Sequence, residues 1–458
     1  MEQEAASREL PGPTGWALLR ALALFLHGDL LSPFERLFDS FGPVFRLQLP
    51  LGHDLVMLAH PDAVEHVLRS KQENYVKGSV YDGARLLLGN GLVTSEGSYW
   101  QSQRALANPA FRPSKLEQYL VAMTDCTRQL VSSWERGAGP GKIDAQEAMT
   151  RLTMAIVGRT LFGLDLDQQS DRAREGFDTA LSAIGRRGPA NLQVPLWLPT
   201  PGNLRFRKAL RDLDTIVYDI IGDFRSGQAE GADQTLLGAY LTARNPDSGE
   251  GMSDQQLRDE VITLYLAGHE TTASLLTWAL YWLGRRPDIA EQVTAEIDAE
   301  IPSDSPSMEE LKKLPHTSRF INEILRLYPP AWTIARNAVE EDRVLGYRIP
   351  AGAIVMLSPY LAHRWGQVWP DPSRFDPDRF APDVARDRHP FAYFPFSLGS
   401  RICIGMQFSL MEARLVLALI LRRFRVQGLS GPEVRCVAAG TLRPDRPIRI
   451  ELVRRRGG

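Results

Sequence analysis

Apolar residues recur at helical spacing over most of the chain and alternate over only a few short stretches. Between about residues 100 and 330 this pattern predicts mainly helices, including a long apolar one over 261–283; another apolar helix is predicted over 406–423. Strands are predicted at 44–49 and 55–59, paired as an early hairpin, and at 353–357 and 448–453. The pattern therefore predicts a mainly α protein with a minor β region.

The beginning of the chain differs in character from the rest. Residues 1–10 are polar and precede the breaker cluster Pro11-Gly12-Pro13, so we expect a flexible N-terminal tail over 1–10 and a single domain over 11–458. The apolar segment 16–26 contains Arg20 and is shorter than the ~20 residues that a transmembrane helix needs. We expect a surface helix there and no transmembrane anchor, with peripheral membrane contact as the weaker alternative.

Composition narrows the class of protein. The 458 residues hold 53 basic and 55 acidic side chains, without the basic excess that is typical of nucleic-acid binders, so no nucleic-acid partner is expected. Three cysteines, Cys126, Cys403 and Cys436, are too few for a disulfide framework and favour a reducing compartment. We expect a soluble cytoplasmic protein and, by default, a monomer.

Cys403 has the most informative setting of the three cysteines. It lies just before the predicted helix at 406–423, where unsatisfied backbone N–H groups and the helix dipole favour thiolate over thiol. Gly399 and Gly405 permit tight turns around it, and Phe396 can shield the sulfur from water. These are the requirements of a thiolate ligand to haem iron. The alternative is a buried structural cysteine, which is the interpretation we keep for Cys126 and Cys436.

The segment Phe396-x-x-Gly399-x-Arg401-x-Cys403-x-Gly405 resembles the haem-binding signature of the cytochrome P450 family at each of its fixed positions. The resemblance implies the cytochrome P450 fold, with a long central distal helix over the haem and the cysteine loop on its proximal side. It implies haem b (iron protoporphyrin IX) as cofactor and Cys403 as the metal ligand.

A polar block interrupts the predicted apolar helix at Ala267-Gly268-His269-Glu270-Thr271-Thr272. Polar residues inside an apolar helix are costly unless they are paired. Gly268 leaves space for a flat ligand, and Glu270 beside Thr271 is an acid next to an alcohol, able to pass protons. The block resembles the family's distal-helix signature, which implies that Ala267 and Gly268 contact the cofactor. It also implies that Thr271 holds a water network and that Glu270 relays protons. The alternative is a helix kink; His269 is given no role.

Two further motifs resemble the family in the same order along the chain. Glu323 and Arg326 share a helix face and, with Arg379, resemble a buried structural triad. Trp100 and Arg104 resemble the family's WxxxR helix, whose side chains reach a haem propionate. Arg401 and, on weaker alignment, Arg336 fit further propionate contacts.

The resemblance implies a monooxygenase that inserts one atom of dioxygen into a C–H bond. No Rossmann glycine pattern is present, so electrons from NAD(P)H would arrive through a separate reductase and a ferredoxin or flavodoxin. Basic residues near the cysteine loop could dock that partner or simply form a solvated face: Arg112, Lys115, Arg414, Arg422 and Arg423.

The predicted substrate pocket is almost entirely apolar and rests on the resemblance: Val80, Leu92, Trp197, Tyr265, Leu266, Ala331, Ile334, Thr441 and Leu442. It favours a lipophilic substrate, such as a terpenoid, a steroid-like molecule, a fatty acyl chain or a macrocycle. One alternative is a peroxide-using or isomerising enzyme of the same fold, which loss of the acid–alcohol pair would indicate; Glu270 and Thr271 are both present. A non-catalytic haem sensor, which needs no proton relay, is the less favoured alternative.

Overall fold

The computed structural model describes residues 8–26, 30–49, 54–136, 141–163, 170–185, 195–226, 235–244, 249, 251–427, 429, 431–438 and 440–455. The larger helices are α1 Gly15–Leu26, α2 Leu31–Phe41, α5 Gly97–Ala107, α6 Pro113–Arg136, α7 Ala145–Phe162, α8 Ser170–Gly185, α9 Pro201–Arg225, α11 Asp254–Arg285, α12 Pro287–Glu300, α14 Pro315–Leu327 and α17 Met406–Arg423. Shorter helices are α3 Pro61–Glu65, α4 Asp82–Leu88, α10 Leu236–Thr242, α13 Met308–Lys312, α15 Pro359–Ala362 and α16 Pro382–Ala385. The strands are β1 Val44–Gln48, β2 Asp54–Leu58, β3 Tyr75–Val76, β4 Lys142–Asp144, β5 Ile334–Ala338, β6 Asp342–Val344, β7 Tyr347–Ile349, β8 Ile354–Leu357, β9 Phe424–Val426, β10 Cys436–Ala438, β11 Leu442–Pro444 and β12 Arg449–Arg454. The predicted mainly α architecture with a minor β region is confirmed.

The central element is α11, a helix of 32 residues that packs against α7, α9, α14 and α17. It begins at a capping box, in which Ser253 Oγ accepts from the N–H of Gln256 and Gln256 Oε1 accepts from the N–H of Ser253. The helix begins seven residues before the predicted 261–283 span. The first turn of α11 is polar and largely exposed, whereas the second turn is buried, and there Arg258 donates to Asp214 at 2.8 Å and to the Leu87 carbonyl at 2.8 Å.

Helix α17 spans the predicted residues 406–423 and is buried along most of its length against α6, α11 and α12. It begins immediately after Gly405, so its N-terminus faces the cysteine loop. Since α11 and α17 pack against each other, the two motifs that sequence analysis singled out are brought to the same region of the core.

A five-stranded sheet with the order β1-β2-β8-β5-β3 lies beside the helices. The predicted hairpin is present, with Val44 opposite Leu58 in an antiparallel register. Strand β8 joins β2 in parallel, and β5 then pairs antiparallel with β8, placing Ile334 opposite Leu357. The remaining sheets are small: β4-β12-β9, β10-β11 and β6-β7.

The described N-terminal residues contact the β6–β7 hairpin. Residues 1–7 of the expected tail lie outside the described residues, but Arg8 forms a bridge to Tyr347 and Leu10 is buried. The Arg8 N–H donates to the Gly346 carbonyl at 3.1 Å, and the Arg348 N–H donates to the Arg8 carbonyl at 3.2 Å, so Arg8 extends the β6–β7 hairpin. The predicted surface helix is α1, whose Trp16 is 87% exposed. Among the helices described, none has the length and apolarity needed to cross a bilayer.

Candidate functional site

The loop before α17 is closed by backbone hydrogen bonds. The Cys403 N–H donates to the Phe396 carbonyl at 2.8 Å, and the Ile402 N–H donates to the Gly399 carbonyl at 3.2 Å. Gly399 has φ +70, and a Cβ there would overlap the carbonyl oxygen of Leu68. This position therefore requires glycine, both for its backbone conformation and for the close approach of a neighbouring segment.

The electrostatics of Cys403 differ from the sequence expectation. The Cys403 residue is exposed to a deep cavity, yet the protein around it desolvates the sulfur, and this desolvation raises the pKa of the thiol. Hydrogen bonds from the N–H groups of Gly405 and Met406, together with the charge of Arg104, lower the pKa and only partly offset burial. The expected helix N-terminal contacts are present, yet the protein alone does not favour the thiolate. An iron ion bonded to the sulfur would supply the missing stabilisation.

Above Cys403 lies a cavity of about 340 Å³. One wall is a face of α11, made of Thr263, Leu264, Ala267, Gly268, Thr271, Thr272 and Leu275. The opposite wall is the cysteine loop, and the sides include Leu92, Val93, Phe111, Leu161, Leu325, Pro330, Ala331, Thr333 and Ile334. The lining is mainly apolar, which suits a flat hydrophobic group with space for a lipophilic molecule beside it.

Four cations line the same cavity: Lys77, Arg104, Arg336 and Arg401. The guanidinium of Arg401 stacks on the ring of Trp100, 3.8 Å from its centroid, and lies 3.3 Å from Glu96. Burial lowers the pKa of Arg401 to about 10. Arg104 donates to the Ile402 carbonyl at 2.9 Å, so it also braces the cysteine loop.

Lys77 is a member of this group that sequence reasoning missed, because it belongs to no motif. It is 7% exposed and donates to the carbonyl of Val93. Burial, with the charges of Arg401 and Arg336, holds the pKa of Lys77 well below its ordinary value. A cluster of buried cations with one nearby carboxylate is costly by itself and is stabilised by a bound anion.

Thr271 and Glu270 lie on different faces of α11. Thr271 lines the Cys403 cavity and donates from Oγ1 to the Ala267 carbonyl at 2.8 Å. Glu270 lies in a second cavity of about 540 Å³, called here the outer cavity, which is lined on its other sides by Gln146, Glu147 and Thr150 of α7 and by Thr441 and Arg443. Its Oε1 accepts from Thr441 Oγ1 at 2.6 Å and from Arg443 Nε at 3.0 Å. The acid and the alcohol are therefore adjacent in sequence but open to different spaces.

Gly268 lines the Cys403 cavity, as expected, but its lack of a side chain has another cause. A Cβ at this position would lie 2.9 Å from Cγ2 of Val157 on α7. A side chain at this position would crowd Val157, so the close packing of α11 on α7 favours glycine here.

The predicted triad is assembled, with Glu323 and Arg326 completely buried and Arg379 partly buried beside them. Arg326 makes two hydrogen bonds to Glu323, at 2.7 and 2.8 Å, and Arg379 Nε lies 3.6 Å from Glu323 Oε1. Burial raises the pKa of Glu323, and Arg326 partly offsets that effect. The remaining donors of Arg326 bind the carbonyls of three downstream residues, His363, Pro372 and Arg374.

His363 links this triad to the segment that leads into the cysteine loop. Its Nε2 accepts from the N–H of Phe394 at 3.0 Å, and its Nδ1 lies 3.3 Å from the Arg326 carbonyl. Since Nε2 accepts, the proton lies on Nδ1 and the ring is neutral. Burial, with the charge of Arg326, holds the pKa of His363 well below its ordinary value. Sequence analysis missed this residue.

Three of the nine predicted pocket residues, Leu92, Ala331 and Ile334, line the Cys403 cavity. The structure does not bring the other six to it. Successive residues of a helix turn by about 100°. Tyr265 and Leu266 therefore leave the cavity face of α11, and Tyr265 stacks on Phe177, 5.4 Å between centroids.

The other four predicted pocket residues lie outside the Cys403 cavity for different reasons. Thr441 binds Glu270 in the outer cavity, and the buried Leu442 donates from its backbone to the Pro330 carbonyl at 3.0 Å. Val80 packs against the core, while Trp197 is 76% exposed.

The cationic surface near the cysteine loop is also smaller than predicted. Arg422 and Arg423 both pair with Asp304, and Arg414 donates to Ser318 Oγ at 3.0 Å. These three arginines bind neighbouring parts of the protein rather than forming an open cationic face. Arg112 is exposed and Lys115 is partly exposed.

The donor set fits a haem group. The sulfur, the flat apolar space between α11 and the cysteine loop, and the buried cations at its edge match an iron, a porphyrin ring and two carboxylates. This combination is typical of haem-thiolate proteins.

Comparisons with known proteins agree with a haem-thiolate site. The family model "Cytochrome P450" matches residues 10–452. The chain is 37% identical to cyclooctat-9-en-7-ol 5-monooxygenase of Streptomyces melanosporofaciens, covering 84% of this chain and 83% of that protein. It is 36% identical to pentalenene oxygenase of Streptomyces avermitilis, covering 87% and 88%. The solved structure of retinoic acid bound cyanobacterial CYP120A1 is 28% identical, with a TM-score of 0.85 over 98% of this chain and 100% of that one.

The chain belongs to the cytochrome P450 family. It is an oxidoreductase that incorporates oxygen from O2, and the family's cofactor is haem iron. The expected fold is confirmed by the solved structures as well as by the arrangement of α11, α17 and the cysteine loop.

Proposed function

We propose that this protein is a haem-thiolate monooxygenase that hydroxylates a lipophilic small molecule, with terpenoids as the favoured class. The observation that carries the proposal is the position of Cys403, which faces the α11 segment containing Gly268 and Thr271 across an apolar cavity. When bound there, haem supplies the activation of dioxygen and the oxidation of a C–H bond.

The residues that would hold the cofactor follow from the cavity lining. Cys403 is the proposed ligand to iron, and Lys77, Arg336 and Arg401 are the proposed partners of the propionates. The ring of Trp100 stacks against the guanidinium group of Arg401, while Arg104 donates a hydrogen bond to the cysteine loop. Gly399 and Gly405 allow the loop to turn, and Phe396 shields the sulfur.

Glu270 and Thr271 are the proposed proton-transfer residues. The Glu270 carboxyl takes a proton from the outer cavity and delivers it across α11, for which it must leave Thr441 and Arg443. Thr271 Oγ1, now bonded to the Ala267 carbonyl, turns to donate into the Cys403 cavity and holds water there. This division of roles follows from the two faces that the neighbouring residues occupy.

The substrate class is supported by the lining and by the relatives. Leu92, Val93, Leu264, Ala331 and Ile334 offer hydrophobic surface. The two Streptomyces relatives are named for oxygenation of cyclooctat-9-en-7-ol and pentalenene, and the solved structure holds retinoic acid. A compact, largely hydrocarbon terpenoid suits this cavity, because burial of apolar area supplies affinity without directional contacts.

Electrons are proposed to come from NAD(P)H through a separate reductase and a ferredoxin or flavodoxin. On the surface near the cysteine loop, Arg112 and Lys115 remain the proposed contacts for an acidic partner, since the three arginines on α17 bind other groups.

The test is the carbon-monoxide difference spectrum of the dithionite-reduced protein, recorded for wild type and Cys403→Ser. We expect the strongly red-shifted band of thiolate-ligated haem in wild type and its loss in the variant. A wild-type band at the position of histidine- or thiol-ligated haem would overturn the proposal.

Titration of the oxidised protein with terpenoids, steroids and fatty acids then tests the substrate class. We expect terpenoids to shift the haem iron from low spin to high spin. Product formation with NADPH, a reductase and a ferredoxin is the final step of the test. Turnover with hydrogen peroxide but none with this electron-transfer system would instead favour the peroxide-using alternative.

A further inference from the structure

The loop between α4 and α5 is attached to the polar first turns of α11 by two adjacent carboxyl groups. Asp259 Oδ2 accepts from the N–H of Asn90 at 2.8 Å, and Glu260 Oε2 accepts from the N–H of Leu92 at 3.3 Å. The contacts fix where residues 90–92 lie relative to α11.

Two glycines make this close approach feasible. A Cβ on Gly89, which has φ +55, would overlap the carboxyl group of Asp259, and a Cβ on Gly91 would overlap Thr263 Oγ1. The loop therefore lies directly on α11, with its peptide groups rather than side chains against the helix.

The same loop forms part of the wall of the Cys403 cavity. Leu92 and Val93 both line that cavity, and the Val93 carbonyl accepts from Lys77 Nζ. Because Glu260 binds the backbone of Leu92 itself, a change in this hydrogen bond moves a side chain that faces the substrate space.

The environment of Glu260 makes its charge variable. The residue is 1% exposed, and burial raises its pKa to about 8. Its neighbours with titratable groups are Asp259 on α11, Tyr99 on α5 and Tyr240 on α10, none of them a cation. Arg258, the nearby arginine of α11, pairs with Asp214 of α9 and with Asp259 instead. Within the described part of the chain, Glu260 Oε1 has no hydrogen-bond partner.

We propose that Glu260 is a positioning residue for the cavity wall: its ionised carboxyl group holds Leu92 through a charge-assisted hydrogen bond, and protonation loosens that wall. Hydrogen bonds to charged groups are stronger than neutral ones, by about 1 kcal/mol or about fivefold in an equilibrium. The inference rests on the proposed function only in treating the Cys403 cavity as the substrate site.

The first arm of the test is hydrogen–deuterium exchange of the haem-loaded protein at pH 7 and pH 9, corrected for intrinsic exchange. Protection of the Leu92 amide is expected to rise about fivefold in wild type. In Glu260→Gln, which keeps shape and an acceptor oxygen, protection should be intermediate and independent of pH. In Asp259→Asn the rise should persist with a lower midpoint, because a like charge beside Glu260 has been removed.

The second arm is the affinity of 4-phenylimidazole, whose phenyl ring contacts the cavity wall while its nitrogen binds the iron. Affinity should increase about fivefold from pH 7 to 9 in wild type and stay constant in Glu260→Gln. Lys77 also contacts the loop, and burial lowers its pKa. An unchanged pH dependence in Glu260→Gln would therefore assign the effect to another group, such as Lys77, and overturn the inference. A flat Leu92 protection profile in wild type would overturn it as well. The hydrogen–deuterium exchange experiment does not depend on whether Cys403 binds the iron. A failure of this inference can therefore be told apart from a failure of the proposed function.

Discussion

Glu270 of α11 and Arg443 of β11 form an ion pair in the outer cavity, with Arg443 Nε 3.0 Å from Glu270 Oε1. Thr441 binds the same oxygen at 2.6 Å. An acid held in this way is nearly buried and faces the outer cavity, while the space above Cys403 lies along another face of the helix. Any proton transfer by Glu270 must therefore cross α11 where Thr271 lies.

Substitution of Glu270 by Gln is expected to lower the rate of product formation by about 100-fold, the usual contribution of a positioned proton-transfer group. Substrate affinity should change little, because Glu270 does not line the Cys403 cavity. The measurement is kcat and the substrate-induced spectral shift. Glu147→Gln is the matched control, since Glu147 lines the same outer cavity; an equal loss of rate in both variants would contradict the role of Glu270.

Substitution of Arg326 by Met is expected to destabilise the protein by about 3–5 kcal/mol, because Glu323 is then left charged, buried and without its main partner. Three carbonyl groups lose their donor at the same time. Urea unfolding gives the free-energy difference. Arg319→Met, which breaks the more exposed Arg319–Asp378 pair, is the control and should cost less than about 1 kcal/mol.

His363 predicts a dependence of stability on pH. Its pKa is lowered by burial in the folded state, so below the unfolded value of 6.5 the unfolded chain binds the proton first and the folded state loses stability as pH falls. His363→Gln should reduce that acid-side slope by up to about 1.4 kcal/mol per pH unit. The exposed His316, changed to Gln, serves as control. Urea unfolding at pH 5 to 7 measures both, and identical slopes in wild type and His363→Gln would refute the prediction.

The close approach of α11 to α7 at Gly268 predicts that a larger residue there destabilises the protein and that a smaller residue at Val157 partly restores stability. Gly268→Ala should destabilise the protein by about 1–3 kcal/mol, because the new methyl group meets Val157 at 2.9 Å. Adding Val157→Ala should recover part of that loss, whereas Val157→Ala in wild type should be destabilising. Unfolding free energies of the four proteins complete the cycle. Additive effects would show that the methyl group disturbs something other than the contact between α11 and α7.

Sequence reasoning predicted the elements whose apolar pattern agrees with their final environment, such as α17 and the β1–β2 hairpin. It missed the first turns of α11, because Arg258 and Glu260 look like exposed residues until their distant partners are known. The same limit applies within the site. A motif places Glu270 and Thr271 side by side but does not show which neighbouring element each one faces.

Pocket residues were the hardest to predict for the same physical reason. Tyr265 and Leu266 lie two residues and one residue before Ala267, yet the turn of the helix removes both from the cavity face. Lys77 and His363 act through contacts with residues far along the chain and have no local pattern. Long-range packing determines which residues these side chains contact, and such contacts cannot be read from a single sequence.

The two cavities on different faces of α11 separate residues that shape the substrate space from the residues that bind Glu270. Substitutions at Thr263 or Leu264 reshape the space for a substrate without touching Glu270, Arg443 or Thr441. Variation at these two positions therefore leaves the proposed proton-transfer residues unchanged. For protein engineering, Thr263 and Leu264 are positions to vary, while Thr271 on the same face and Glu270 on the neighbouring face are kept.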